Sequence, residues 1–163
     1  MSSDHRPAVY LAGPLGFLAA GRHYHVDVLV PAVAARFDVL DPWSAGDDVI
    51  AGFAAEGTGV VPSERLAEMN RAIGAGNRDL IDRCDAVLAV LDGTDVDSGT
   101  AAEIGYAAAR AKPIVGLRTD LRLSGENPAA VVNLQVAYFI GHSGGRIVRD
   151  LAAAIDALGE VTG

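Results

Sequence analysis

Short apolar runs bounded by turn residues alternate along this chain with segments whose apolar side chains recur at helical spacing. The runs predict strands at 8–12 (AVYLA), 37–42 (FDVLDP), 85–92 (DAVLAVLD) and 112–117 (KPIVGL). Gly13-Pro14 follows the first run, and Pro42 stops the second. The third run is almost continuously apolar, which is typical of a central strand buried on both faces of a parallel sheet.

The segments between these runs predict helices that would cover such a sheet. Their approximate bounds are 20–36, 63–80, 100–111, 128–137 and 144–158. The second begins after Pro62-Ser63, and Gly74 and Gly76 predict a bend in it. Residues 138–141 (YFIG) are predicted to be extended, and the Gly-, Ala- and Asp-rich residues 44–61 to form an irregular loop. A loop of that length is uncommon in a compact domain and points to function.

Strands that alternate with helices predict an α/β fold. We expect one domain over residues 1–163, with a flavodoxin-like, doubly wound parallel sheet, helices on both faces and right-handed crossovers. In such sheets, ligands bind beyond the carboxyl ends of the strands. This rule places four segments on one rim: 13–17, 41–43, 92–103 and 117–120.

Composition and charge narrow the class of protein. Half of the 163 residues are hydrophobic, but no apolar run approaches the ~20 residues of a membrane helix, and the N-terminus lacks a secretory pattern. The single cysteine, Cys84, precludes an internal disulfide and suits a reducing cytoplasm. The net charge of −8 opposes nucleic-acid binding, and no CxxC or HExxH spacing offers a metal site. We expect a cytoplasmic protein without metal, cofactor, nucleic-acid or membrane partner.

The predicted rim carries carboxylates, hydroxyls and aromatic rings. No GxGxxG follows the first strand, and GxxxxGK[ST] and GxSxG are absent from the chain. Glycosyl transfer is the reaction class that runs on carboxylates alone, because one attacks the anomeric carbon and another manages the proton of the leaving group. The candidates are the carboxylates Asp41, Asp79, Asp92, Asp95, Asp97 and Glu103, the hydroxyls of Tyr10, Ser98, Thr100 and Tyr106, and the rings of Phe17 and Trp43.

The stretch DSGTAAEIGY (97–106) permits two interpretations. Thr100 and Glu103 fit the capping box of a helix N-terminus, and Asp97 could also cap that helix. Alternatively, Glu103 is a reactive carboxylate at the mouth of the sheet, where the helix dipole and free N–H groups favour its ionised, nucleophilic form.

The chain resembles the nucleoside 2-deoxyribosyltransferases. The similarity lies in LIDRCDAVLAVLDGTDVDSGTAAEIGYAAARAKPIVGLRTD, in the N-terminal VYLAGPLGF and in the later VNLQV, and it is poorest over 44–61. The resemblance implies an enzyme that moves 2-deoxyribose between nucleobases by a retaining double displacement. Its implied partners are nucleosides, free nucleobases and further copies of the chain, assembled as a dimer or a hexamer.

The resemblance also implies roles for individual residues. Glu103 matches the nucleophile that carries the deoxyribosyl group as a covalent intermediate, and Asp97 matches the residue that binds the sugar hydroxyls. Asp79 matches the proton donor to the departing base, and Tyr10 the tyrosine that orients the nucleophile. Phe17 matches the aromatic residue that stacks on the base. The further substrate-binding candidates are Asn133, which would complete a neighbouring subunit's site, and the rim residues Gly13, Ser98, Asp41 and Trp43.

Simpler interpretations stand beside these roles. Asp79 could be one charge on a solvated helix face, Tyr10 a packed core aromatic, Trp43 a core residue and Asn133 a turn residue. Cys84 is expected to be a small buried apolar group. The histidines at 5, 23, 25 and 142 are expected to be surface or loop residues without a role.

Alternative functions also stay open. The first is hydrolysis of nucleosides or of deoxynucleoside 5′-monophosphates on the same fold. Enzymes related to this family that cleave the monophosphates carry serine where this chain has Asp97, and a carboxylate there would repel the phosphate. The second is a nucleoside-binding protein without catalysis.

Overall fold

Five parallel strands form the sheet in the computed structural model, which describes residues 6–55 and 62–163. They are β1 (Ala8–Ala12), β2 (Asp38–Leu40), β3 (Ala86–Val90), β4 (Ile114–Leu117) and β5 (Ile147–Val148). Their spatial order is β2-β1-β3-β4-β5. This is the order of flavodoxin-like doubly wound sheets, so the predicted fold class is confirmed. The order reverses between β1 and β3, where such folds open a crevice at the carboxyl ends of the strands.

Helices cover both faces of the sheet. They are α1 (Ala19–Tyr24), α2 (Val30–Ala34), α3 (Pro42–Ala55), α4 (Ser63–Arg83), α5 (Ser98–Ala109), α6 (Leu134–His142) and α7 (Leu151–Thr162). A 3₁₀ turn, Leu15–Phe17, follows β1, and a π-helical turn, His25–Leu29, joins α1 to α2. The helix predicted over 63–80 is confirmed and runs to Arg83 through both of its glycines.

Successive side chains of β1 point to opposite faces of the sheet, which determines the helices that each of them can contact. Val9 and Leu11 pack into a core cluster with α2 and α7, whereas Tyr10 and Ala12 pack into the cluster formed with α4, α5 and α6. Tyr10 is fully buried. Its hydroxyl therefore lies on the same side of the sheet as the helix that carries Glu103.

The prediction of an irregular loop over 44–61 is wrong for its first part, because α3 extends to Ala55. Residues 56–61 lie outside the described residues. Pro42 opens α3, and the side chain of Asp41 accepts a hydrogen bond from the Trp43 amide at 3.0 Å. The segment's small residues carry little apolar periodicity, so packing against α4 rather than local pattern stabilises the helix.

Three predictions near the C-terminus also differ from the structure. YFIG (138–141) is helical, because α6 begins only after Asn133, whose side chain accepts hydrogen bonds from the amides of Gln135 and Val136. Residues 128–132, predicted to be helical, precede that cap and are not helical. The helix predicted over 144–158 is preceded by β5, and α7 begins after Asp150, which caps it through the Ala153 amide. A two-residue edge strand is too short to leave a recognisable apolar run.

Candidate active site

A cavity of about 410 Å³ opens at the carboxyl ends of β1, β2 and β3. Its volume lies in the range usual for sites that bind small molecules. One wall comes from α3 (Trp43, Gly46, Asp47, Ile50), another from α4 (Met69, Asn70, Ile73, Asn77), and the floor from Gly13 and the first turns of α5 (Asp97, Gly99, Thr100, Glu103). The cavity therefore lies where the strand order reverses, on the rim that the sequence predicts.

Glu103 lies at the inner end of this cavity, in the second turn of α5. Its Oε1 accepts a hydrogen bond of 2.6 Å from the Tyr10 hydroxyl and one of 3.4 Å from Nδ2 of Asn77. Its Oε2 has no hydrogen-bond partner among the described residues. The carboxylate is thus held at one oxygen, while the other is available to a ligand.

Asp97, and not Thr100, caps α5. Its Oδ2 accepts from the Thr100 amide at 2.9 Å and from the Thr100 hydroxyl at 3.1 Å. The capping box proposed for Thr100 and Glu103 is therefore wrong, and Glu103 does not serve the helix terminus. Asp97 also lines the cavity, and its other oxygen, Oδ1, has no hydrogen-bond partner among the described residues.

Opposing effects act on the Glu103 carboxyl. Burial is the largest effect and raises its pKa, and the nearby charge of Asp97 raises the pKa further. The hydrogen bonds from Tyr10 and Asn77 lower the pKa, but the net result is a raised value. The pKa of Tyr10 is itself raised by burial and by Glu103, so the phenol stays protonated and remains a donor.

Replacing Glu103 with glutamine is expected to raise the unfolding temperature at pH 7.5 by roughly 2 °C or more. A carboxyl with a raised pKa stabilises the folded state most at pH values below its ordinary pKa, and this contribution is lost as the pH rises through the raised value. The advantage of glutamine should therefore shrink toward pH 4. Thermal unfolding of both proteins across pH 4–8 measures this difference in unfolding temperature. A variant that is less stable than the wild type at every pH would contradict the expectation.

Asp79 does not line the cavity of Glu103. Its Oδ1 accepts hydrogen bonds of 2.6 and 3.0 Å from the guanidinium of Arg78, at the protein surface. It lines an adjoining cavity of about 220 Å³, which shares Gly46, Ile73 and Asn77 with the larger one. The polar α4 residue that contacts Glu103 is Asn77, which was not among the predicted site residues.

The predicted aromatic residues lie in the cavity wall. Phe17 and Trp43 pack edge to face with ring centroids 4.8 Å apart, and the Trp43 Nε1–H donates to the Gly13 carbonyl at 3.2 Å. Phe17 is 70% exposed, so its ring is free to contact a ligand. A side chain at Gly16 would collide with the Trp43 ring at 2.1 Å, which explains the glycine there.

Asp41 supports this wall from behind and does not reach the cavity. Its carboxylate accepts from the Trp43 amide and lies 3.0 Å from Nε2 of His25. His25 is only 4% exposed, so the expectation of a surface histidine is wrong at this position. The π-helical turn carries His25, and such turns recur at functional sites.

Asn133 and Ser98 lie elsewhere. Asn133 caps α6 and donates to Glu126 at 2.6 Å, away from the cavity of its own chain. Ser98 is the exposed first residue of α5 and does not line the cavity. Neither residue contacts Glu103 of its own subunit.

The charged side chains among the described residues that line the cavity are all acidic. Its described lining includes three carboxylates, those of Asp47, Asp97 and Glu103, and no Lys, Arg or His side chain. Across residues 6–55 and 62–163, no three His, Cys, Asp or Glu side chains are grouped to hold a metal ion. No helix in that part of the chain has both the length and the apolar character needed to cross a bilayer.

These features define an α/β protein of the flavodoxin-like class, with a carboxylate held by a tyrosine and an asparagine at the switch point of its sheet. The chain belongs to the nucleoside 2-deoxyribosyltransferase family, whose sequence profile matches residues 9–135. This is a family of enzymes that act on nucleosides by transferring a glycosyl group.

Similar proteins support this assignment. An uncharacterized protein of Schizosaccharomyces pombe is 37% identical over 123 residues, which are 72% of this chain and 52% of the relative, so the chain spans about half the length of that relative. A 2-deoxyribosyltransferase from Leishmania mexicana is 26% identical, with a TM-score of 0.62 over 94% of this chain and 97% of its own. A CMP N-glycosidase from Clostridium botulinum shares the fold at 18% identity, with a TM-score of 0.54 over 93% and 98% of the chains.

Proposed function

We propose that this protein transfers 2-deoxyribose from one nucleobase to another, with Glu103 as the nucleophile. The observation that carries the proposal is the Glu103 carboxylate, whose Oε1 is held by Tyr10 and Asn77 while Oε2 is left without a partner among the described residues. A fixed carboxylate with one available oxygen suits attack on an anomeric carbon.

The reaction proceeds in two displacements. Oε2 of Glu103 attacks C1′, the bond from C1′ to the base nitrogen breaks, and the base leaves with a proton. The resulting glycosyl ester is then attacked by a nitrogen of the second base, which loses its proton and releases the carboxylate. Each displacement inverts C1′, so the product retains the original configuration.

Asp97 and Asp79 assist at the two sides of the scissile bond. The Oδ1 oxygen of Asp97 accepts hydrogen bonds from the sugar hydroxyls, while its Oδ2 caps α5. Asp79 gives a proton to the departing base and takes one back from the second base, in both cases through water, because Asp79 lines the adjoining cavity beyond Asn77 rather than that of Glu103.

The charge of the cavity favours nucleosides over nucleotides. Three carboxylates and no cationic side chain among the described lining residues make a poor site for a phosphate dianion. A neutral nucleoside avoids this repulsion.

Further copies of the chain complete the proposed enzyme. Asn133 stands at the start of α6, and the same helix exposes Leu134 (55%) and Tyr138 (58%) to solvent. This apolar surface would place Asn133 against the site of a neighbouring copy in a dimer or a hexamer.

The proposal is tested by incubating the protein with 2′-deoxyadenosine, with and without cytosine, and separating the products by chromatography. Appearance of 2′-deoxycytidine only when cytosine is present supports the transferase. Release of adenine at the same rate without cytosine would identify a hydrolase instead. Failure to release a base from any 2′-deoxynucleoside would overturn both.

Replacing Tyr10 with phenylalanine is expected to shift the acid limb of the pH profile of kcat/KM to higher pH. Tyr10 lowers the pKa of Glu103 through its hydrogen bond, so without the hydroxyl the nucleophile ionises at a higher pH. Above that limb, activity should stay within about tenfold of the wild type, because Asn77 still holds the carboxylate.

A matched control is Tyr106→Phe, which removes another tyrosine hydroxyl bonded to a carboxylate, that of Asp82, outside the cavity. Its profile should be unchanged. An unmoved profile for the Tyr10 variant would count against its role.

A further inference from the structure

We propose that Asp47 and Asn70 recognise the far edge of the nucleobase and select bases with an amino group there. Cytosine and adenine would then be preferred over uracil and hypoxanthine, which carry a carbonyl at the same position. This inference rests on the proposed function, since it assigns the cavity's outer end to the base.

Helix geometry sets the depth of each residue in the cavity. On α3, Trp43 lies at the inner end, where it contacts Gly13, and Asp47 lies one turn farther along, about 6 Å. On α4, Asn77 contacts Glu103, and Asn70 lies seven residues earlier, about 10 Å along the axis. Each of Asp47 and Asn70 thus lies along its helix away from the residue that contacts Gly13 or Glu103, and both are exposed, whereas Glu103 is half-buried.

The apolar side chains between these two ends fit the faces of a planar base. Trp43 and Phe17 line the cavity from one side, and Ile73 and Met69 line it from α4. A base enclosed between them has its glycosidic nitrogen near Glu103. Its opposite edge, at C4 of a pyrimidine or C6 of a purine, then faces Asp47 and Asn70.

The two polar side chains are available to a ligand. Among the described residues, neither has a hydrogen-bond or ion-pair partner, in contrast to Asp41, Asp79 and Asp82, whose carboxylates are occupied. Both lie in the cavity lining, whereas the neighbouring Asp48 does not. An unengaged carboxylate and an unengaged amide at one end of an apolar cavity are typical of recognition groups.

The chemistry of a carboxylate gives the direction of selection. An ionised carboxylate only accepts hydrogen bonds, so it pairs with the N–H of an exocyclic amino group. A carbonyl oxygen in the same place would face it lone pair to lone pair, which disfavours uracil and hypoxanthine. The Asn70 amide can donate to the unprotonated ring nitrogen beside the amino group of cytosine or adenine.

The test compares kcat/KM for two substrate pairs, 2′-deoxycytidine with 2′-deoxyuridine and 2′-deoxyadenosine with 2′-deoxyinosine. The wild type should prefer the amino-bearing member of each pair by at least about tenfold, the scale of one hydrogen bond to a charged group. Asp47→Asn should remove most of that preference, chiefly by lowering activity on the amino-bearing substrates. The control Asp48→Asn changes a neighbouring exposed carboxylate outside the cavity and should keep the preference.

Calorimetric titration with the free bases separates this inference from the proposed function. Tighter binding of cytosine than uracil, and its loss in Asp47→Asn, would support base recognition even if no deoxynucleoside were turned over. Turnover without a preference, or a preference that survives in Asp47→Asn, would overturn the inference and leave the proposed function intact. Equal binding of all four bases would overturn it as well.

Discussion

Glu103→Gln is expected to reduce turnover of 2′-deoxynucleosides by about 10⁴-fold or more, the order of loss seen when a covalent nucleophile is removed. Glutamine keeps the size of the side chain and can still accept the hydrogen bond from Tyr10. It cannot form the glycosyl ester, because a neutral amide is a poor nucleophile. The fold should therefore remain while the chemistry is lost.

The measurement is the initial rate of base release, followed by intact-protein mass spectrometry after brief incubation with a 2′-deoxynucleoside. The wild type should carry an added deoxyribosyl mass that the variant lacks. Glu68→Gln is the matched control, because Glu68 is an exposed α4 glutamate outside the cavity. Appreciable turnover by Glu103→Gln would mean that another group attacks C1′.

Asp97→Asn is expected to lower kcat/KM for 2′-deoxynucleosides by about 10²-fold with almost no change in stability. Asparagine caps helices as well as aspartate does, so the hydrogen bond to the Thr100 amide survives. The charged acceptor proposed for the sugar hydroxyls is lost, and hydrogen bonds to charged groups contribute about 1.5–3 kcal/mol. Steady-state kinetics and thermal unfolding of the same preparation separate the two roles.

Two further substitutions sharpen this result. Asp97→Ala removes the cap as well and should also lower stability, by about 1 kcal/mol. Asp97→Ser keeps a cap but removes the negative charge, so activity on deoxynucleoside 5′-monophosphates should rise relative to activity on nucleosides. If Asp97→Asn lost stability and kept its kinetics, Asp97 would be a helix cap only.

Four of the five strands are predictable from sequence because they are apolar runs that end at turn residues, whereas the two-residue β5 is not. β3 is buried along its whole length, as its continuous apolar run indicated. The contact between Tyr10 and Glu103 joins residues 93 apart in sequence, and only the family resemblance linked them. The sequence pattern places both residues on the predicted rim, but it does not predict that their side chains are in contact.

Two features kept the other residues of the site from being predicted from sequence. One is the direction in which side chains project around α4, and the other is α3, which the sequence does not predict. Asn77 and Asp79 are two residues apart, which turns their side chains by about 200° around α4. The family resemblance selects Asp79, whereas the structure places Asn77 beside Glu103. Asp47 escapes prediction because the Gly-, Ala- and Asp-rich residues 44–61 predict a loop, which hides the helical spacing of Trp43, Asp47 and Ile50.

Trp43 is the single tryptophan of the chain, and it stands in the cavity wall. Its indole fluorescence therefore arises at the site itself, with no background from a second tryptophan elsewhere. A base that stacks against it will quench or shift that emission, whereas a ligand bound on a distant surface will not. Stopped-flow fluorescence can thus follow arrival and departure of each base without a label, and can separate these steps from the bond-breaking step.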